Sequence, residues 1–229
     1  MAYQYDLSYI NHTDRILKSL KEVRWNISED FQSESLREYH GLVYNSPIQN
    51  VQFLNKRKFK KFNFVFEEIK NYNNEEVYVI SFSSPRKHSP FTRRVFLSNY
   101  SGYLYVNSRD FAVVKTFENW EVTEFLESFR QGYNFKNSLS KYTNKEYINE
   151  STLTDFIKIN NQYFISTSEN IINGKLYNVQ NEIEHYIITV KSCWTDFNIQ
   201  NPKKIKYNSE EHLFSKIKYN PNFWKSKSY

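Results

Sequence analysis

The chain has little of what compact chemical sites are usually built from. One cysteine, Cys193, occurs in 229 residues. A lone thiol excludes an internal disulfide and any zinc site made of several cysteines. The four glycines form no G-x-G-x-x-G stretch and no G-x-x-x-x-G-K-[ST] loop. The glycine-rich phosphate cradles of dinucleotide- and triphosphate-binding proteins are therefore excluded. There is no apolar run of about 18 residues, so no segment is suited to cross a membrane as a helix. The start, Met1-Ala2-Tyr3-Gln4-Tyr5-Asp6, lacks the basic-then-apolar order of a secretory signal. It is expected to be either a cytosolic start or the replaced start of a mature fragment.

Aromatic residues take the place of these features. They make up 18% of the chain, with 19 Phe and 19 Tyr. Flat rings suit sheets, where they pack across neighbouring strands. With glycine and proline both scarce, turns must come from Asn, Asp and Ser. Asn adopts the left-handed conformation at small cost. The formal charge is +6 and the isoelectric point is near 9.1. The charge gathers at Lys56-Arg57-Lys58 with Lys60-Lys61, at Arg86-Lys87, at Arg93-Arg94 and between Lys203 and Lys227. Such clusters favour anionic partners, nucleic acid or an anionic membrane surface, or form a plain solvated surface.

Residues 60 to 117 read as successive β-strands that are apolar on both faces. Lys61-Phe62-Asn63-Phe64-Val65-Phe66-Glu67 places three Phe on one face, because successive strand side chains alternate. Val77 to Phe82, Tyr103 to Val106 and Phe111 to Val114 carry apolar groups on both. A sheet wetted on one side would alternate cleanly, so the second face is expected to be covered by helices, by closure or by a ligand. The expected strands are 50–55, 59–69, 76–83, 92–98, 101–107, 110–118, 153–159, 162–168, 175–180 and 183–194. Hairpin chemistry at 70–75, 107–110, Asn160-Asn161 and Ile172-Asn173-Gly174-Lys175 makes neighbours antiparallel. The stretch Glu121 to Ser140 fits helix or strand. At the start, Thr13 is placed to cap a helix carrying Ile16, Leu17, Leu20 and Val23, and Ser28 a second with Phe31 and Leu36. Ser209 opens a short C-terminal helix with Leu213, Phe214 and Ile217.

Candidate chemistry is sparse. His12, His40, His88, His185 and His212 form no H-x-x-x-H or H-x-H pair, so a metal would need ligands from distant segments. Cys193 with His185 or His88 is the sharpest nucleophile–base pair available, but Cys193 ends an apolar strand where a plain buried thiol is the usual case. Glu67-Glu68 and Glu75-Glu76 point to opposite faces of a strand, and Glu210-Glu211 suits a helix start. Lys58-Phe59-Lys60-Lys61-Phe62 interleaves cations with rings, the pattern of a single-strand nucleic-acid groove and also of a half-buried strand. No catalytic residue, metal ligand or cofactor is assigned.

Two stretches carry a family resemblance. Ser101 to Lys115, Ser-Gly-Tyr-Leu-Tyr-Val-Asn-Ser-Arg-Asp-Phe-Ala-Val-Val-Lys, resembles the "G-x-[IL]-Y-[IV]-[DN]-…-[FY]-A-[IV]-[VE]-[KR]" hairpin of Bacteroidota envelope proteins called carboxypeptidase-like regulatory domain-containing. A related hairpin occurs in lipoprotein-carrier-like half-barrels. Lys218-Tyr219-Asn220-Pro221-Asn222-Phe223-Trp224 is similar to their "Y-[DN]-P-x-F-W" ending. The resemblance implies the periplasm or the outer-membrane periphery and a curved antiparallel sheet closed over helices. It supplies no catalytic residue. It gives Gly102, Tyr105 and Ala112 structural roles, with Gly102 as a turn-side glycine.

The expectation is one mainly β domain over residues 1–229: a strongly curved antiparallel sheet or half-barrel of about 8–10 strands. N-terminal helices would pack on its concave face and a short helix would close the C-terminus. The leading functional expectation is a non-enzymatic envelope protein that binds an apolar ligand, a lipid or a partner protein. Phe62, Phe64, Phe66, Tyr103 and Tyr105 are the candidate concave-face aromatics. A basic nucleic-acid binder is the alternative, and a Cys/His hydrolase the third.

Overall fold

The computed structural model describes residues 2–8, 17–24, 52–54, 57–84, 99–121, 142–178, 180, 182–193 and 197. They belong to two compact units, one of Met1–Val43 with Phe197–Tyr229 and one of Tyr44–Asp196. The first contains a two-stranded antiparallel sheet of β1 (Ala2–Ser8) and β2 (Leu17–Arg24). Leu17, Leu20 and Val23 thus lie in a strand, not in the expected helix. A segment of that length gains little as an isolated helix, whereas β1 offers it a partner along its whole length, from Leu17 opposite Ser8 to Arg24 opposite Ala2. Thr13, Ile16, the expected helix from Ser28 and the C-terminal helix from Ser209 lie outside the described residues.

The second unit holds a seven-stranded antiparallel sheet in simple sequence order. Its strands are β3 (Asn63–Tyr72), β4 (Glu75–Ser83), β5 (Asn99–Asn107), β6 (Val113–Glu121), β7 (Tyr142–Ile159), β8 (Gln162–Asn178) and β9 (Ile183–Cys193). The expected mainly antiparallel β architecture is what forms. Several boundaries differ, the largest at β7, which starts at Tyr142 and not at the expected 153. Residues 52–54 and 59–61 are single 3-10 turns, so β3 starts later than residue 59 and the described part of the expected strand 50–55 is not strand. The expected strands 162–168 and 175–180 are one strand, and Ile172–Lys175 does not turn. Asn173 and Gly174 lie opposite Asn149 and Tyr147 on one side and Ile187 and Tyr186 on the other. Ladders on both sides override a local turn preference. The expected strand 92–98, and 122–140 of the ambiguous stretch, lie outside the described residues.

Asparagine does the work of glycine at the hairpins. Asn73 and Asn74 have φ of 51° and 64°, and Asn160 and Asn161 have 49° and 61°. Two successive positive φ values give the two-residue turn whose twist matches its strands. In a meander, every second hairpin lies at the same sheet end. The β3–β4, β5–β6 and β7–β8 turns therefore share one end. Between β5 and β6, Asn107 takes over: its Oδ1 accepts the Arg109 backbone N–H at 2.9 Å and its Nδ2 donates to Glu75 Oε2.

Facing residues of an antiparallel ladder share a face. One face carries Phe64, Phe82, Gly102, Glu118, Thr152 and Asn170 in a row across β3 to β8. On it lies the aromatic core of Phe53, Phe62, Phe82, Tyr100, Leu104 and Trp120. Phe53, from the first 3-10 turn, stacks on Phe82 with ring centres 4.1 Å apart, and Tyr100 stacks on Trp120 at 5.2 Å. Val77 and Val79 are buried on the opposite face, so β4 is covered on both sides.

Gly102 is a mid-strand residue, not the turn-side glycine the family resemblance implies. A Cβ there would lie 1.9 Å from the Phe117 carbonyl oxygen and 2.8 Å from Phe82 Cε1. The close approach is what lets Phe82 lie flat beneath the core. Gly102→Ala is expected to destabilise the protein by about 3 kcal/mol or more, the upper end for overpacking, because backbone must move. Urea unfolding of wild type and variant measures it. A loss below about 1 kcal/mol would contradict this packing.

Candidate functional site

A dense polar cluster lies on the face opposite the aromatic core. Tyr105, Lys115, Asp155 and Thr167 stand side by side on β5, β6, β7 and β8. Asp155 is the acceptor at its centre. Its Oδ1 receives the Tyr72 hydroxyl at 2.6 Å and lies 3.2 Å from Lys115 Nζ, and its Oδ2 receives the Thr167 hydroxyl at 3.1 Å. The Lys115 ammonium sits over the rings of Tyr72 and Tyr105, 5.0 and 5.9 Å from their centres.

Tyr72 ends β3, four strands away from Asp155. At about 4.8 Å per strand, a flat sheet would hold these strands about 19 Å apart. A tyrosine and an aspartate side chain together do not span that gap. The sheet therefore rolls toward this face, and the Tyr72–Asp155 bond fastens the roll. Burial raises the Tyr72 pKa, with the Asp155 hydrogen bond and the negative charge of Asp155 adding to it. The phenol therefore stays protonated and keeps donating. Chemically this is a clasp: two hydroxyls and one ammonium converge on one carboxylate.

A second tie joins two hairpin ends. Asp110, in the β5–β6 turn, accepts Lys158 Nζ at 2.6 Å and the Tyr163 hydroxyl at 2.9 Å, both flanking the β7–β8 turn. The Lys158 contact lowers the Asp110 pKa, and Asp110 in turn raises that of Lys158. Next to Asp110, Phe111 has a φ of 58° and is 70% exposed. On the core face, Glu118 is fully buried and accepts the Tyr100 hydroxyl at 2.6 Å. Asn170 Nδ2 donates to Glu150 Oε1 and Thr152 Oγ1 at 2.8 and 2.9 Å, continuing a polar band beside the aromatic one.

The candidate aromatics divide between the two faces. Phe62 is buried in the core, 5.8 Å from Tyr100. Phe64 follows on the same face, stacked on Phe59 at 4.4 Å, and Phe66 opposes Ile80 there. Tyr103 and Tyr105 lie on the other face, opposite Ser81 and Val79. Tyr105 borders the clasp, and Tyr103 sits beside Phe117 at 6.5 Å. His185 and Cys193 both lie on β9, eight residues or about 26 Å apart at 3.3 Å per residue, and do not meet. Cys193 is exposed. His88 lies outside the described residues. Among the described residues no group of three or more His, Cys, Asp and Glu is placed to hold a metal, and no helix is long and apolar enough to cross a membrane.

The other unusual feature is β3, an edge of the sheet among the described residues. Val65, Phe66 and Ile69 are 55%, 58% and 55% exposed. Glu68 and Lys70, between and beside them, form an ion pair at 2.5 Å. Sequence reasoning marked the Phe alternation but not this exposure. It missed the clasp as well, since Tyr72 and Asp155 are 83 positions apart and no local pattern joins them.

No family model matches the chain, and neither a curated protein nor a solved structure matches it.

The clasp makes stability pH-dependent. The folded chain holds the Tyr72 proton more tightly than the unfolded chain does. Its contribution is complete below the ordinary tyrosine pKa of about 10 and is lost as pH rises beyond it. Tyr72→Phe is expected to cost about 1–2 kcal/mol at pH 7, since the lost bond is to a charged acceptor but part-exposed. It should also lessen the loss of stability between about pH 9 and 11. Urea melts at pH 7, 9 and 11 for both proteins test this, and equal alkaline slopes would refute it.

Proposed function

We propose that this protein works by binding a protein partner along the β3 edge of its seven-stranded sheet. The observation that carries the reading is the pairing of an edge position with large apolar side chains left more than half exposed, Val65, Phe66 and Ile69. An open edge presents backbone donors and acceptors ready for another strand. Apolar side chains above and below it supply the burial that makes strand addition favourable. The clasp supports this use, because fastening the C-terminal end of β3 to β7 presents the edge in one fixed shape.

The setting proposed is the cell envelope, on the strength of the hairpin and tail resemblance at 101–115 and 218–224. A lipid in the concavity is the less favoured form, since Tyr72, Lys115 and Asp155 already occupy the inner side near the turns. A photo-crosslinking residue at position 66, expressed in the native host, tests the edge. A discrete protein adduct is expected, and it should be lost when Ile69→Lys is added. The same probe at position 187, exposed on the far edge strand, should not give that adduct. No adduct at 66, or one indifferent to Ile69→Lys, would overturn the reading.

A second reading has its own observation. Phe59 is half exposed beside exposed Arg57, Lys60 and Lys61, a ring-and-cation group of the kind that stacks single-stranded bases. If it binds nucleic acid, affinity for a single-stranded oligonucleotide should fall steeply with salt and drop further with Phe59→Ala. No binding at low ionic strength would dispose of it.

A further inference from the structure

We propose that the partner taken by the β3 edge is a second copy of this chain. The two β3 strands would join antiparallel, with Ile69 on the two-fold axis and Glu68 of each copy facing Lys70 of the other. This rests on the edge reading above and names its occupant.

Symmetry and charge together select this pairing. In antiparallel pairing about a two-fold axis, a residue n places before the centre faces the residue n places after it. Centring on Ile69 sets Glu68 against Lys70 twice. Centring on Lys70, Glu68 or Glu67 sets like charges against each other at the axis. Among registers centred on a residue from Glu67 to Lys70, Ile69 alone brings opposite charges face to face. Glu67 is already engaged by the Ser81 hydroxyl at 2.5 Å. The register shift between Phe66 and Glu68 leaves Glu68–Tyr72 as the regular stretch, and the proposed centre lies inside it.

The side chains that would be covered are those left bare in the single chain. Ile69 would meet its own copy, and Phe66 and Val65 would lie over the partner's strand. Affinity would come from the new ladder and from this burial. The ion pairs contribute little strength, because Glu68 and Lys70 are each about half exposed and already paired within the chain. Their role is to choose the register, since like charges in the same places would oppose it.

Sedimentation velocity of the full chain over a dilution series tests this. Wild type is expected to show a concentration-dependent dimer. Lys70→Glu and Glu68→Lys should each weaken it by at least tenfold, because each sets like charges across the axis. Mixed in equal amounts, the two variants should associate again, since every cross-axis pair is then opposite in sign. That restoration also shows that both variants are folded. A monomer at all concentrations, variants that dimerise as wild type does, or a mixture that stays monomeric would each overturn the proposal. A position-66 adduct with a different protein, found together with a monomeric wild type, would overturn self-pairing and leave the edge reading standing.

Discussion

The hydrogen bond from Tyr72 to Asp155 sets the form of the sheet. A meander gains its ladder bonds between neighbours, and nothing in those bonds decides how far the layer rolls. Twist is intrinsic to strands, but joining the first strand of this sheet to the fifth takes a contact across the face. That contact is a phenol, an ammonium and a second hydroxyl gathered on one carboxylate. A bond to a charged acceptor is worth more than a neutral one. Partial burial makes it stronger still, since water competes less. Burial, together with the carboxylate, also keeps the phenol protonated. The phenol therefore goes on donating to Asp155 beyond the pH at which a free tyrosine would ionise.

The opposite face solves a different problem. Once the sheet rolls toward the clasp, this face is the outer one at that end, and an outer face must find cover elsewhere. Phe53 and Phe62 come from the stretch just before β3 and seal the central strands. They reach Phe82 because Gly102 has no side chain to keep the ring away. Further along, the row turns polar, with Glu118, Thr152, Thr154, Ser168 and Asn170 all buried. Buried polar groups are tolerable where they bond one another, as Tyr100 with Glu118 and Asn170 with Thr152 do. Such bonds are directional where aromatic packing is permissive, so they favour a single register of β6 on β5 and of β8 on β7.

What could be read in advance follows from the range of the forces involved. Strand periodicity is local, so β4, β5, β6 and β9 stand near where alternation puts them. Turn chemistry is local too, and Asn73-Asn74 and Asn160-Asn161 turn as their residue types require. The same reasoning failed at Ile172–Lys175 because two flanking ladders outweigh one turn preference. It failed at Leu17–Arg24 because the helical spacing of Ile16, Leu17, Leu20 and Val23 says nothing of a partner strand at Ala2–Ser8. The family resemblance implied a turn-side Gly102, and a sequence does not show which ring will cross that residue. The clasp was invisible for the same reason. Of the candidate aromatics, alternation correctly put Phe64 and Phe66 together, but it carries no relation between the face of β3 and that of β5. Tyr103 and Tyr105 consequently fell on the other side.

The β3 edge combines a shape fixed by the clasp with apolar side chains left in solvent. Proteins commonly guard an exposed edge with a bulge or a lysine, and β3 has both, the register shift near Glu67 and Lys70. Neither removes Val65, Phe66 and Ile69 from solvent. A guard that leaves the apolar groups bare does not abolish pairing. It restricts the pairing to partners that tolerate the bulge and neutralise the charge. Few arbitrary strands meet both conditions. A strand bearing an acid, an apolar residue and a base in that order, met antiparallel, satisfies the charge condition, and β3 carries that order itself in Glu68-Ile69-Lys70. The features that discourage indiscriminate aggregation are thus the ones that would make a single, symmetric contact specific.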